Sequence, residues 1–264
     1  MGVKIPKKIY YCWFGGKSLP EFAQDCIATW KKYCPDYEIV EINEKNFDLN
    51  YCTYVKEAYE AGKWAFVSDV ARLHTLVNNG GIYMDTDVEL KKSFDDLLDN
   101  EAVCGFESDS SIATAVIMCS HGNKLFAEML DGYKDSRFVK EDGSYDVTTN
   151  VVRLTALCQK YGMVSNNSRQ TVNGVLLLPR EYFCPKDFFT KKLSVTDNTV
   201  AIHHFDGSWM AEEDKRAIEL ADKYRRFMPR KIAGYLGKFV AIKRQRGFRN
   251  AVKETVSWMK GKRK

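Results

Sequence analysis

Residues 64–90 constrain the fold of this chain more than any other stretch. Trp64 to Asn79 carries the apolar spacing of an amphipathic helix, and Asn79-Gly80-Gly81 ends it. Ile82 to Met84 then reads as a short strand, which runs into Asp85-Thr86-Asp87 before Val88 to Leu90 continues extended. Further strands are predicted at Lys8 to Phe14, Glu38 to Ile42, Ala102 to Phe106, Ala113 to Cys119, Val175 to Leu178 and Thr199 to Phe205. Helices are predicted at Leu19 to Tyr33, Tyr51 to Ala61, Asn123 to Tyr133, Val147 to Tyr161 and Ala211 to Phe227. Strands alternating with helices predict an α/β sandwich with a mostly parallel sheet. A chain of 264 residues, 45% hydrophobic and 28% charged, is long enough to bury a sizeable core as one large domain or two small ones.

The predicted helix before the acidic motif has an unusual face. At about 100° per residue, Ala65, Phe66, Asp69, Val70, Leu73, Leu76 and Val77 fall on one side, with Asp69 in the middle and Arg72 at the edge. A carboxylate on a core-facing stripe is costly unless it is paired and hydrogen-bonded. Two readings fit: a structural Asp69–Arg72 pair, or a polar pair at the mouth of a cleft that binds a hydroxylated ligand. The next segment favours the second. In Gly81-Ile82-Tyr83-Met84-Asp85-Thr86-Asp87, two carboxylates stand two residues apart where an apolar strand runs out, and on an extended chain they point the same way. Such a pair suits Mg²⁺ or Mn²⁺ bridging a diphosphate, and in open α/β sheets ligands sit beyond the carboxyl ends of strands. Alone, two acids so spaced also recur in ordinary turns.

Composition removes several classes. The eight cysteines contain no C-x-x-C pair, so zinc-ribbon and thioredoxin-type sites are not expected. No apolar run approaches ~18 residues, and Met1 to Lys8 has no secretory character. The expectation is a cytoplasmic protein with free thiols. The net charge of +5 is uneven: Pro229 to Lys264 holds twelve Lys and Arg against one acid, Glu254. Within it, Ile232, Leu236, Phe239, Val240, Phe248, Val252, Val256 and Met259 recur at roughly helical spacing, interrupted by Gly234, Gly237 and Gly247. This tail is expected to be a basic amphipathic helical segment. It would either lie on an anionic membrane surface or pack on the domain with a solvated basic face. No nucleic-acid recognition motif is present.

Four segments in order carry a resemblance: Ile5-Pro6-Lys7-Lys8-Ile9-Tyr10-Tyr11-Cys12-Trp13-Phe14-Gly15-Gly16, Ala65-Phe66-Val67-Ser68-Asp69-Val70-Ala71-Arg72, Asn79-Gly80-Gly81-Ile82-Tyr83-Met84-Asp85-Thr86-Asp87, and His203-His204-Phe205-Asp206-Gly207-Ser208-Trp209. Together they resemble glycosyltransferase family 32, the DXD group of bacterial capsular-polysaccharide and Och1-like enzymes. The resemblance covers about Ile5 to Trp209 and implies a GT-A type nucleotide-diphospho-sugar transferase fold, with a mixed central sheet flanked by helices; the composition break near Pro229 sets the expected domain at residues 1–228 and the tail at 229–264. It implies that Trp13 stacks on the nucleobase with Gly15 beside it, and that Asp69 and Arg72 bind donor-sugar hydroxyls. Tyr83 would lie near the sugar or ribose. Asp85 would hold ribose and metal, and Asp87 and His204 would complete the metal shell. Ser208 and Trp209 would close over the diphosphate. His204 is preferred to His203 because strand alternation would aim His203 at the other face.

The implied reaction is transfer of a sugar, with retention, from a UDP-linked donor to a saccharide or lipid-linked acceptor. Mn²⁺ or Mg²⁺ would stabilise the departing diphosphate. No residue stands out as a general base, and the leaving phosphate could take the proton. Two rivals remain. Met84-Asp85-Thr86-Asp87-Val88 also fits the nucleophile motif of a haloacid-dehalogenase-type phosphatase, with Asp85 as nucleophile, although that reading leaves Trp13, Asp69 and Arg72 unexplained. The other is a non-catalytic sugar- or membrane-binding protein on a transferase scaffold.

Overall fold

The computed structural model describes residues 5–188, 190–207 and 212–261. The contacts within it divide the chain into two compact units, Met1–Asp187 with Lys192–Phe205, and Phe188–Lys191 with Asp206–Lys264.

In the first unit the chain runs β1 (Lys8–Cys12), α1 (Glu21–Tyr33), β2 (Glu38–Ile42), α2 (Thr53–Glu60), α3 (Trp64–Asn79), β3 (Gly81–Met84), β4 (Val88–Leu90), β5 (Ala102–Phe106), β6 (Ile112–Cys119), α4 (Lys124–Asp131), α5 (Asn150–Lys160), β7 (Gln170–Val172), β8 (Val175–Leu178) and β9 (Ala201–His203). Seven strands form one sheet in the order β2-β1-β3-β6-β5-β8-β7. β1, β2, β3, β5 and β8 run one way, and β6 and β7 oppose them. The fold is therefore the expected α/β arrangement with a mixed central sheet flanked by helices. β4 and β9 pair apart from it as an antiparallel ribbon, with Val88 opposite His203.

The sheet is apolar on both faces. Side chains of α2, α3, α4 and α5 build a core on one face, including Tyr54, Val70, Phe126 and Leu154. On the other face Ile27 and Trp30 of α1 pack with Val88, Leu90 and Phe183. Trp30 is fully buried and its indole N–H donates to the Val88 carbonyl at 2.7 Å, which ties α1 to the start of β4. Each fully buried large apolar side chain contributes roughly 1.5–3 kcal/mol.

Two glycines set where β3 begins. Gly80 and Gly81 have φ of +66° and +117°, a backbone conformation that L side chains rarely adopt. A Cβ on Gly81 would meet the Tyr10 ring at 2.8 Å and the Lys8 carbonyl at 2.9 Å. Gly81 thus lets β3 seat against β1, with Tyr10 opposite Tyr83.

The second unit holds α6 (Glu212–Tyr224), α7 (Arg230–Arg246) and α8 (Phe248–Gly261). A Cβ on Gly237 of α7 would clash with the Ala217 carbonyl and meet the Ala221 backbone nitrogen at 2.8 Å, so that glycine permits close packing on α6. The basic tail is two helices broken at Gly247, whose φ is +85°. Phe248, Val252, Val256 and Met259 form an exposed stripe along α8, while Ala251 and Thr255 are buried. No described helix is long and apolar enough to cross a membrane.

Candidate functional site

The site forms where β3 runs out. Strand alternation puts Tyr83 and Asp85 on the α3 face of the sheet, and Arg72 of α3 meets them there. Its guanidinium lies 3.2 Å from Asp85 Oδ1 and 3.2 Å from Asp69 Oδ1, and stacks over the Tyr83 ring with 4.3 Å between centres. It also donates to the Thr114 carbonyl at 2.9 Å. The Tyr83 hydroxyl donates to the same Asp85 oxygen at 2.8 Å. Tyr83 is buried and meets the site through its bond to Asp85.

Asp69 and Arg72 are both buried. Burial opposes the charge on Arg72, but Asp85, Tyr83 and Asp69 outweigh it and hold the guanidinium ionised. Burial pushes the Asp69 carboxyl up to about 6, against the pull of Arg72 and the backbone N–H of Asn150. Asn150 was not singled out in the sequence. It is fully buried at the start of α5, where its N–H donates to Asp69 Oδ2 at 3.1 Å and its side-chain amide donates to the Asp69 carbonyl at 2.7 Å. The Tyr133 hydroxyl donates to its Oδ1 at 2.7 Å.

Past β3 the chain turns, with the Val88 N–H donating to the Asp85 carbonyl at 3.1 Å. The carboxylates of Asp85 and Asp87 converge across this turn and not along an extended strand. They share their place with His203: one ligand atom from each of the three lies within 4.8 Å of the others. His203 Nε2 is 3.5 Å from Asp87 Oδ1, and His203 Nδ1 is buried without a hydrogen-bond partner among the described residues. Burial works against a charged His203 imidazole, but Asp87 outweighs it and lifts the group well above the usual histidine range. A proton and a divalent cation would therefore compete for one place. Two carboxylates and an imidazole are a donor set that fits Mn²⁺ or Mg²⁺.

The expected ligand His204 points elsewhere. Its Nε2 lies 3.0 Å from Glu89 Oε2 and its ring packs edge-on against Phe22. Alternation does separate the two histidines, but in the opposite phase, because the β4–β9 pairing aims His203 at Asp87.

Trp13 and Gly15 follow β1, the strand beside β3. The Trp13 indole N–H donates to the Lys17 carbonyl at 2.6 Å, and the ring is partly exposed. The Gly15 N–H donates to Glu44 at 2.6 Å, and a Cβ at Gly15 would press into the Trp64 indole at 2.6 Å. Ser208 and Trp209 lie outside the described residues. Glu107 was also missed in the sequence. It sits immediately past β5, and burial pushes its carboxyl up while His203 and Arg180 pull it down and Asp85 pushes it further up.

Residues 20–104 match the family model described as a glycosyltransferase sugar-binding region containing a DXD motif. Over that stretch the chain is similar to glycosyltransferase sugar-binding regions of the DXD type. That region contains Asp69, Arg72, Tyr83, Asp85 and Asp87, whereas Trp13 and His203 fall outside it. Among curated proteins, the chain is similar to Subversion of eukaryotic traffic protein A of Legionella pneumophila. The two are 23% identical over 172 residues, covering 52% of this chain and 26% of that protein. The chain thus spans about a quarter of the length of that relative. Among solved structures, it is similar to the PaToxG glycosyltransferase (19% identity, 60% of this chain and 70% of that one, TM-score 0.47). It is also similar to the galactosyltransferase LgtC in complex with donor and acceptor sugar analogues (14% identity, 76% and 88%, TM-score 0.41).

Proposed function

We propose that this protein is a metal-dependent glycosyltransferase of GT-A type that takes a sugar from a nucleotide-sugar donor. The observation that carries the reading is the convergence of Asp85, Asp87 and His203 at the carboxyl end of β3, with the buried Asp69–Arg72 pair behind it. Asp85, Asp87 and His203 would hold Mn²⁺ or Mg²⁺, which when bound supplies positive charge to a diphosphate. Arg72 positions Asp85, and the Asp69–Arg72 pair binds hydroxyls of the donor sugar. Trp13 offers its ring to the nucleobase, for which UDP is the proposed nucleotide, with Gly15 proposed beside it in the donor site. Ser208 and Trp209 are proposed to close over the diphosphate. The proposed transfer proceeds with retention, to a saccharide or lipid-linked acceptor of bacterial surface-polysaccharide synthesis. The catalytic part is proposed to be residues 1–228. The tail, 229–264, is proposed to hold the enzyme on the cytoplasmic face of an anionic membrane.

The phosphatase reading is weaker, since Asp85 Oδ1 is engaged by both Tyr83 and Arg72 and the match to a sugar-binding region gives it no support. The test is hydrolysis of UDP-hexoses by the purified chain with Mn²⁺. Asp85→Asn or Asp87→Asn is expected to abolish turnover; near-normal turnover in either would remove the metal site from the reaction.

A further inference from the structure

The strands that run parallel open their carboxyl ends on one edge of the sheet. In spatial order these are β1, β3, β5 and β8, with β6 interposed between β3 and β5. The proposed donor groups occupy the first half of that edge: Trp13 after β1, and Asp85 and Asp87 after β3. Beyond β6 the same edge carries Glu107. The parallel register pairs Gly105 with Leu178. Glu107 follows β5 and Arg180 follows β8, close enough for their charges to interact.

The backbone around Glu107 is built to hold it there. The β5–β6 register shifts between Cys104 and Phe106, an irregularity of the kind that re-aims a strand end. The Glu107 N–H donates to the Ser111 carbonyl at 2.8 Å, closing a turn pinned by a 2.6 Å contact between the Ser108 and Ser111 hydroxyls. The side chain is half-buried and feels the charges of His203, Asp85 and Arg180. Among the described residues its carboxylate accepts no hydrogen bond and forms no ion pair. A carboxylate partly removed from water, beside another carboxylate and without a donor of its own, is costly. Such groups are satisfied by a ligand at functional sites. Glu107 is not part of the three-residue cation cluster, and a hydroxyl is a donor that would satisfy its carboxylate.

We propose that Glu107 receives the incoming hydroxyl of the acceptor and takes its proton, an inference that rests on the transferase reading. In that step the bond between the anomeric carbon and the phosphate oxygen breaks, and its electron pair leaves with the nucleoside diphosphate. The acceptor oxygen forms the new bond to the anomeric carbon, and its proton passes to the Glu107 carboxylate. Water in the same place gives donor hydrolysis, so the role is testable before any acceptor is known.

The experiment follows UDP-hexose hydrolysis by the full chain and its Glu107→Gln and Glu107→Ala variants, alongside the rise in melting temperature caused by UDP with Mn²⁺. In both variants kcat is expected to fall by about 100-fold or more. KM for the donor and the UDP–Mn²⁺ shift should stay at native values. Added formate should restore part of the turnover of Glu107→Ala and none in Asp87→Asn. Native turnover in Glu107→Gln would overturn the proposal. So would loss of the UDP–Mn²⁺ shift together with turnover, or failure of formate to raise the Glu107→Ala rate. A native chain whose stability no nucleotide alters with Mn²⁺ would instead remove the donor reading beneath it.

Discussion

His203 and His204 are adjacent in sequence and serve different neighbours. His203 faces Asp87, whereas His204 is held by Glu89 and Phe22. His203→Ala is therefore expected to weaken Mn²⁺ binding by at least about tenfold, the scale on which even outer partners of a metal site act, and His204→Ala by much less. A Mn²⁺ titration of each variant checks this, and equal losses would contradict the assignment. That two adjacent histidines differ in direction was legible from alternation, but which one faces the acids depends on a pairing with β4 more than a hundred residues earlier. Asp69 was legible because a carboxylate in an apolar stripe demands a partner. Asn150 was not, because its bonds to Asp69 span 81 residues and no local pattern announces them.

Elements with a strong period were read well. α3 matches its predicted bounds, Trp64–Asn79, because apolar spacing and a two-glycine stop both mark it. α5 begins at Asn150 and not at Val147. Thr149 supplies no side-chain cap, and Asp69 instead accepts the N–H of the first residue from across the fold, where an acid also favours the helix dipole. The short strand β7 escaped notice, since three residues with one buried position carry no period. The strand predicted over Thr199 to Phe205 shrinks to Ala201–His203, because β4 is only three residues long. The α3–β3 junction gives a direct test of how the site is placed. Gly81→Ala introduces a Cβ against Tyr10 and the Lys8 carbonyl at a positive φ, and is expected to destabilise the chain by roughly 1–3 kcal/mol. Chemical denaturation reads this out, and an unchanged midpoint would mean that β3 seats without the glycine.

For the whole molecule, composition foretold a break near the basic tail, while the contacts place α6 with the tail helices in a unit beginning at Asp206. Charge patterning marks where a chain turns basic, but packing decides which helices travel together, and the glycine at 237 that admits α6 has no signature of its own. The exposed stripe of Phe248, Val252, Val256 and Met259 lies next to Arg249 and Lys253 on α8, the face proposed to meet an anionic bilayer. Removing 229–264 is expected to abolish sedimentation with phosphatidylserine vesicles while leaving donor hydrolysis intact. Undiminished sedimentation would refute the anchor. The acids after β3 are proposed to hold a cation that binds a nucleotide, and thermal melting with Mn²⁺ against UDP, GDP, CMP and dTDP tests this. Ligands that bind the native state raise its melting temperature by mass action. A Mn²⁺-dependent rise with UDP that Asp87→Ala abolishes is expected; no rise with any of the four, or a rise that survives in Asp87→Ala, would rule out the metal site.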